Sequence, residues 1–416
     1  MRNFIAKNSL VAVSANLKET VLNTFQDLDT SILVALASII GMDWRREDNA
    51  GEMTGREEID TLYDLGALTA ATLDFPKMQP QHAAFICAYA LGAVDTDPAG
   101  TGFEHTITPT DDILPSTFSA GMRLGKNVGC RQFAGLCIDS FNMVFDQDAW
   151  VTLSAAVKGT GKYEDDVIEE TVQAPGNATQ ITVTSGDVLL NDIENVHLVR
   201  GEKATGEWHD AVVTDVSGDV IFIESIGGAT ATIDYNVIYR VTKTWATFPA
   251  RVEEPPLRTG DLSMIVGGKW DGSAITGGHA MSTEINRVEW AFNNNMEVSF
   301  RPGNTGAYAD DIIRGGRVQT VTIARRFLDW IFERKIINND TFSLSLKAEG
   351  PEFDTGEKYT VWVVFPRVSV KEIPKSLDGR KLAETITLPV LEDETYGSVK
   401  VFIKNQVAQY ASVFES

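Results

Sequence analysis

Cysteine is scarce in this chain: Cys87, Cys130 and Cys137 are the only three in 416 residues. That argues against a disulfide framework and fits a reducing compartment. Histidine is nearly as sparse. His82, His105, His197, His209 and His279 are scattered, and no two stand at the three- or four-residue spacing of a zinc site. There is no nucleophile elbow, and no histidine lies in an evident triad context. Positive charge is under-represented, with 36 Lys and Arg against 58 Asp and Glu and a formal net charge of -22. Such a surface repels nucleic acid, because affinity for phosphates comes from cations that release counterions. It also keeps free subunits apart in solution. Long hydrophobic runs are missing as well. The most apolar, SILVALASIIGM at 31–42, is far short of the roughly 20 residues a spanning helix needs. Its length and β-branched content predict a buried strand. The opening MRNFIAKNSLVAVSA has an apolar core too brief for a signal peptide.

What the chain does have is alternation. The hydrophobic fraction of 43% allows a sizeable core, and the length allows two or three domains at roughly 150 residues each. In TFSLSLKA, Phe342, Leu344 and Leu346 share one face and Ser343, Ser345 and Lys347 the other. In AWVTLSAAVKG, Val151, Leu153, Ala155 and Val157 oppose Thr152, Ser154, Ala156 and Lys158. In YTVWVVF, Tyr359, Val361, Val363 and Phe365 oppose Thr360, Trp362 and Val364. Period two with Val, Ile, Thr and Phe predicts strands packed on one face. Helices are few. PQHAAFICAYALG starts at Pro80, stops at Gly92 and puts Phe85, Ala88 and Leu91 at helical spacing. FLDWIFERKI, 327–336, is a shorter candidate.

The middle of the chain reads as a unit of its own. An acidic linker, EDDVIEETVQAPGNAT, opens 164–241, and short alternating runs punctuated by Gly and Asp follow. That spacing predicts a small β-sandwich or barrel inserted between 1–163 and 242–416, the two parts of a larger β domain. No period of 20 to 50 residues repeats, which excludes a solenoid.

Several motifs with catalytic associations dissolve on inspection. Asp354-Thr355-Gly356 spells the aspartic-protease triplet, but there is one copy, between two alternating strands, where a hairpin turn explains Asp and Gly. Gly268-Lys269 lacks the first glycine and the hydroxyl residue of a phosphate loop. Arg314-Gly315-Gly316-Arg317 reads as a turn before a strand. Asn177-Ala178-Thr179 is a glycosylation sequon by pattern only. No catalytic, metal-binding or cofactor residue is expected.

GCRQFAGLCIDSF holds two of the cysteines, seven residues apart. On one continuous strand that odd offset would point them to opposite faces, and a bend at Ala134-Gly135 would reset the parity. Neither arrangement brings metal partners. With Leu136, Ile138 and Phe141 beside Cys137, both read as unpaired structural cysteines.

The same stretch, extended over 133–161, resembles bacteriophage tail tube proteins. The likeness lies in Phe133 and Gly135, a strand reaching Ser140, the polar turn Asp146-Gln147-Asp148, and the strand 151–157 closed by Gly159. Other parts fit the same order. A strand at 68–75 precedes the helix. A Gly-rich loop follows, with His105, Pro109 and the Leu114-Pro115 turn, and later an Asn-rich strand at 288–303 precedes a long loop and a strand near Arg317. The resemblance covers roughly 18–161 and 245–390 and leaves out the insert.

The resemblance implies a mainly β fold: a tail-tube-type β-sandwich or barrel with one flanking helix, plus the inserted small β-sandwich, facing outward, and a C-terminal arm within 242–416. It implies hexameric rings whose sheets join into an inner barrel, stacked through long loops such as 267–278 and 301–317 into a tube in the virion tail. Subunits would be made and assembled in the host cytoplasm. Its partners would be further copies of itself, tail terminator, tape measure and distal tail proteins, and genomic DNA in transit, with no membrane and no cofactor. The lumen would be net negative, with Asp139, Glu289 and Glu297 as candidate lining acids. Two other readings compete: a tail terminator or distal tail ring protein, and a β-rich adhesin or glycan-binding protein with Trp208 and Tyr235 as an aromatic platform.

Overall fold

Alternating large apolar residues set which face each strand buries, and that pattern builds the fold. The structure is a computed structural model that describes residues 5–53, 56–125, 128–227, 231–281, 285–301, 307–378 and 381–412. The protein is mainly β, with antiparallel sheets and two α-helices among the described residues. The chain divides into two compact units. The larger comprises Val13–Ala120, Phe133–Lys162 and Ala250–Ser416. The smaller comprises Met1–Ala12, Gly121–Gln132 and Tyr163–Pro249, so it takes in two segments besides the stretch 164–241 that looks self-contained in sequence.

In the larger unit, a twelve-stranded sheet contains the run Gly41–Asp48, Leu62–Phe75, Thr152–Gly159, Gly129–Asp146, Ile285–Asn293, Val318–Arg326, Lys381–Pro389 and Lys375–Asp378, and a further branch that ends at Thr30–Ile32 leaves it at Gly129–Asp146. Every neighbouring pair in the run is antiparallel. A second, seven-stranded sheet is ordered His279–Ala280, Leu262–Val266, Thr341–Asp354, Glu357–Ser369, Lys400–Asn405, Gly102–Pro109 and Gly92–Ala99. Apolar faces of the two meet where the Trp290 ring packs edge-on against Phe365, 5.4 Å between centroids. On the first sheet Phe141 stacks on Phe292 at 4.9 Å. Aromatic pairs of this kind add to the gain from burial alone.

Helix Pro80–Leu91 is buried on every side, beyond the single stripe read from its sequence. Its residues explain this: from Ala83 to Leu91 none is charged, and a helix apolar all round belongs in a core. Tyr89 donates its hydroxyl to the carbonyls of Ser14 and Leu17, at 2.7 and 3.0 Å. At the other end, His82 Nδ1 accepts from the Gln79 N–H and Glu254 Oε2 accepts from the Gln81 N–H at 2.7 Å. The second helix, Ile331–Ile337, begins later than its sequence suggests. Asp329, held by Arg325, accepts from the Ile331 N–H and so fixes the start.

Two expectations fail in instructive ways. The apolar run at 31–42 is a strand at Thr30–Ile32, then turns, leaving Leu33, Leu36 and Ile39 exposed, before the strand Gly41–Asp48 begins. The turn is set by Ser38 N–H donating to the Ala35 carbonyl, and Ala35 N–H to Asp74. Ser343 and Ser345, expected to face solvent, are buried. A small hairpin, Lys269–Trp270 with Ile275–Thr276, packs at that face. Ser343 Oγ accepts from the Trp270 N–H, and Ser345 Oγ accepts from Trp362 Nε1, each at 2.7–2.8 Å.

The smaller unit pairs a four-stranded sheet, Val167–Pro175, Thr232–Arg240, Val196–Ala204 and Glu207–Asp210, with a three-stranded one, Gln180–Thr182, Val220–Ile223 and Val213–Ser217. Ile181, Val199, Ile221, Tyr235, Val237 and Tyr239 fill the space between. Arg240 and Asp166 form a buried pair at 2.5 Å; Asn195 also accepts from Arg240, and the Cys130 N–H donates to Asp166.

All three cysteines are free and buried. Gly135, between Cys130 and Cys137, has φ +66, a left-handed conformation natural to glycine, and a Cβ there would lie 2.6 Å from Asn23 Oδ1 and Thr160 Oγ1. Burial pushes the Cys130 thiol up to about 11 and Cys137 up to about 12, so neither is a thiolate near neutral pH.

Candidate functional site

The larger sheet has two unlike faces. One is the core face, where Leu153, Met143, Trp290, Val321 and Leu388 lie in register from strand to strand. The other is open. Asp74, Ser154, Asn142, Ala291, Thr320 and Pro389 form one row across it. Thr152, Val144, Glu289, Thr322 and Thr387 form the next. The residues are small and hydroxyl-rich, and they alternate one for one with the core residues, as the pleat requires.

Charge on this face is sparse and mostly paired. Asp139 lies on it beside Lys158, at 3.1 Å, and its Oδ1 also accepts from the Met296 N–H at 2.7 Å. Lys158 donates besides to the Met296 carbonyl. Glu289 accepts from Arg287 at 2.9 Å, and Arg287 lies 3.9 Å from Asp146. Asp74 accepts from the Ser154 hydroxyl at 2.5 Å. Asp139 and Glu289 therefore share the face as members of ion pairs. Glu297 does not share it. It is exposed on a separate ribbon, Met296–Ser299 with Asp311–Arg314.

Three consecutive asparagines cause that departure. Asn293 Oδ1 accepts from the Asn295 N–H, and Asn295 sits at φ +50, a left-handed conformation asparagine tolerates. Asn294 is wholly buried and donates to the carbonyls of Ala90, at the end of the first helix, and Ile138. Arg317 in turn donates to Asn294 and to the Thr110 carbonyl, where Arg314 also donates. The Arg-Gly-Gly-Arg stretch is thus a structural turn. Asp354-Thr355-Gly356 is likewise the hairpin turn between Thr341–Asp354 and Glu357–Ser369, with Gly356 at φ +79 and Asp354 accepting from the Thr101 N–H.

Two of the sheet's strands lie at open edges. Among the described residues, Gly41–Asp48 pairs only with Leu62–Phe75, and Lys375–Asp378 only with Lys381–Pro389. Past Trp44 the first hairpin exposes both its faces, from Arg45 to Asp48 and from Leu62 to Leu65. Open edges of this length invite pairing with another chain.

The exposed hairpin of Gly41–Asp48 and Leu62–Phe75 and the threonine rows were not singled out in the sequence. The rows have a signal there: VQTVTI and TITLP alternate threonine with aliphatics in successive strands. The aromatic platform is absent as such. Tyr235 is fully buried in the smaller unit's core because its hydroxyl reaches the Pro175 carbonyl, and the Trp208 ring is covered by the Arg200 guanidinium at 4.9 Å. The loop 267–278 carries the small hairpin described above, and 301–317 includes residues 302–306, which lie outside the described residues. No group of three or more His, Cys, Asp or Glu side chains among the described residues is placed to hold a metal, and no helix among them is long and apolar enough to cross a membrane. No protein-family model and no curated protein matches the chain.

Proposed function

We propose that this chain is the structural subunit of a phage tail tube: copies join edge to edge into rings, open sheet faces inward, and stacked rings form a channel that conducts DNA. The observation that carries the reading is the larger sheet, with one face packed, the other lined by small hydroxyl side chains, and the outer sides of Gly41–Asp48 and Lys375–Asp378 unpaired among the described residues. A sheet of this kind loses its edges by closing with neighbouring copies. A lumen of Thr, Ser and Asn in which Lys158 and Arg287 are tied to acids gives a polyanion little to grip, since binding draws on cations free to release counterions. The resemblance over 133–161 supports the same reading, and the insert at 164–241 is an elaboration that the resemblance leaves out.

Electron microscopy of the purified protein tests this directly. Tubes of varied length with a hollow axis are expected. Single rings point to a terminator or distal ring protein, and a strictly monomeric protein at high concentration sinks the reading.

A further inference from the structure

The two edges of the larger sheet differ in charge, in a chain whose net charge is -22. The arm formed by Gly41–Asp48 and the start of Leu62–Phe75 is acidic. Asp43, Glu47, Asp48, Glu57, Glu58 and Asp64 outnumber Arg45, Arg46 and Arg56, and Arg56 is already joined to Asp60 at 3.1 Å. It is also apolar where a folded monomer has no use for it: Ile59 is 53% exposed and Leu62 63%.

The opposite edge carries the complement. Arg326, Arg334, Lys371 and Lys381 are exposed there; Lys375 is paired with Glu333, Asp329 is held by Arg325, and Glu372 is an exposed acid among them, so the edge remains net basic. They surround a contiguous apolar surface. Leu377 and Leu382 face each other across the terminal hairpin, and the Phe327 N–H donates to the Leu382 carbonyl. Phe327 packs edge-on against Trp330 at 5.1 Å, and the Lys375 ammonium sits 4.4 and 4.2 Å from the two rings. Trp330 remains 58% exposed and Leu377 73%. Apolar surface ringed by charge marks an interaction site.

We infer that the acidic arm of one copy docks on the basic apolar edge of the next, around Phe327, Trp330, Leu377 and Leu382, as the head-to-tail contact between subunits. The inference rests on the tube reading and specifies its interface. The occupant is a second copy because arm and acceptor are opposite in charge and similar in apolar character, and they belong to opposite ends of one sheet. A contact between different patches of identical chains is heterologous, and it closes into a ring or propagates. Opposite charge steers the encounter and fixes its register.

Charge reversal tests it. Glu47→Lys with Glu57→Lys and Glu58→Lys reverses the arm, and Arg326→Glu with Arg334→Glu and Lys381→Glu reverses the acceptor. All six side chains are exposed, so each variant should keep the wild-type circular dichroism spectrum. The concentration needed for assembly, followed by light scattering and microscopy, should rise at least about tenfold for each variant alone. An equimolar mixture should assemble again, because every contact in an alternating array is then between opposite charges. If wild type assembles and both variants match it, the arm–edge contact is wrong while the tube reading stands, and the arm belongs to a different partner. Failure of the mixture to assemble, with both variants folded, also overturns the contact. A wild type that never assembles removes the tube reading and the inference together.

Discussion

Glu254 is a carboxylate in the wrong place for its charge. It is buried beside the first turn of helix Pro80–Leu91, where Oε2 accepts from the Gln81 N–H while Oε1 makes no hydrogen bond. Burial pushes its pKa up from 4.5 to about 7, although the backbone N–H groups of Gln81 and Gln406 pull it down. The folded protein thus holds this proton more tightly than the unfolded chain. The contribution to stability is full below pH 4.5 and is lost as pH rises through about 7. A shift of this size corresponds to about 3 kcal/mol of penalty once the group is ionised. Glu254→Gln keeps an acceptor for the Gln81 N–H and cannot ionise. The variant should therefore match wild type near pH 4.5 and exceed it by up to about 3 kcal/mol at pH 8. Urea denaturation of both proteins from pH 4.5 to 8 measures this, and the difference between them cancels other titrating groups. One such group is close by. Burial lowers the His82 pKa from 6.5 to about 3, so its contribution is full above pH 6.5 and is lost as pH falls. The two slopes oppose each other below pH 6.5, so the Glu254 effect on wild type alone is clearest above it. A variant whose offset from wild type is the same at every pH would refute the assignment of a buried, strained carboxylate.

Asn294→Ala removes two buried hydrogen bonds and should cost about 1–3 kcal/mol by urea denaturation, more than the exposed Asn295→Ala. Arg240→Ala strands Asp166 in the smaller unit and should cost about 3–5 kcal/mol, whereas Arg131→Ala, which breaks a half-exposed pair with Asp165, should cost less than about 1; amide exchange in 163–249 reads both. Alkylation of unfolded, unreduced protein should modify all three thiols by intact mass, and brief alkylation of the folded protein at pH 7 none, because every one is buried. Asp139→Asn with Asp146→Asn and Glu289→Gln removes the carboxylate partners of Lys158 and Arg287, and should create DNA retention in a gel-shift at low salt that wild type lacks; no retention would show that these cations are inaccessible to phosphate.

Much of this fold was legible because alternation is a local signal. Val151, Leu153, Ala155 and Val157 are all buried as their spacing requires. Pro80 and the glycine at 92 bracket the first helix as expected. What the sequence hides is which polar residues a neighbouring element covers. Ser343 and Ser345 look like surface residues until the hairpin at Trp270 packs over them. Tyr235 looks like a platform until the two small sheets close around it. The run at 31–42 fails for the opposite reason: its hydrophobicity suggests burial, yet a single chain leaves Leu33, Leu36 and Ile39 in water. Hydrophobicity reports the need for a partner without saying that the partner lies in the same chain. Of the three candidate acids, Asp139 and Glu289 share the open face, and Glu297 departs from it because the three-asparagine turn ends the strand first.

The acidity of the chain and the neutrality of the open face belong to different problems. A polyanion passing a wall is slowed by each cation it binds, and the gain on binding comes from counterions released when a free cation meets phosphate. Lys158 and Arg287 already have carboxylate partners, so phosphate would have to displace Asp139 or Glu289 for no net release. The acids on this face thus act by occupying its cations, and strong repulsion is not needed. The larger negative excess lies elsewhere, on the arm at 43–64 among other places, where, on the proposed arm–edge contact, it would keep dilute copies apart until a basic edge is presented to it. On the proposed tube reading, a neutral lumen and charged edges are separable demands, and a sheet can meet both, since the residues of its faces and those of its ends are chosen independently along the same strands.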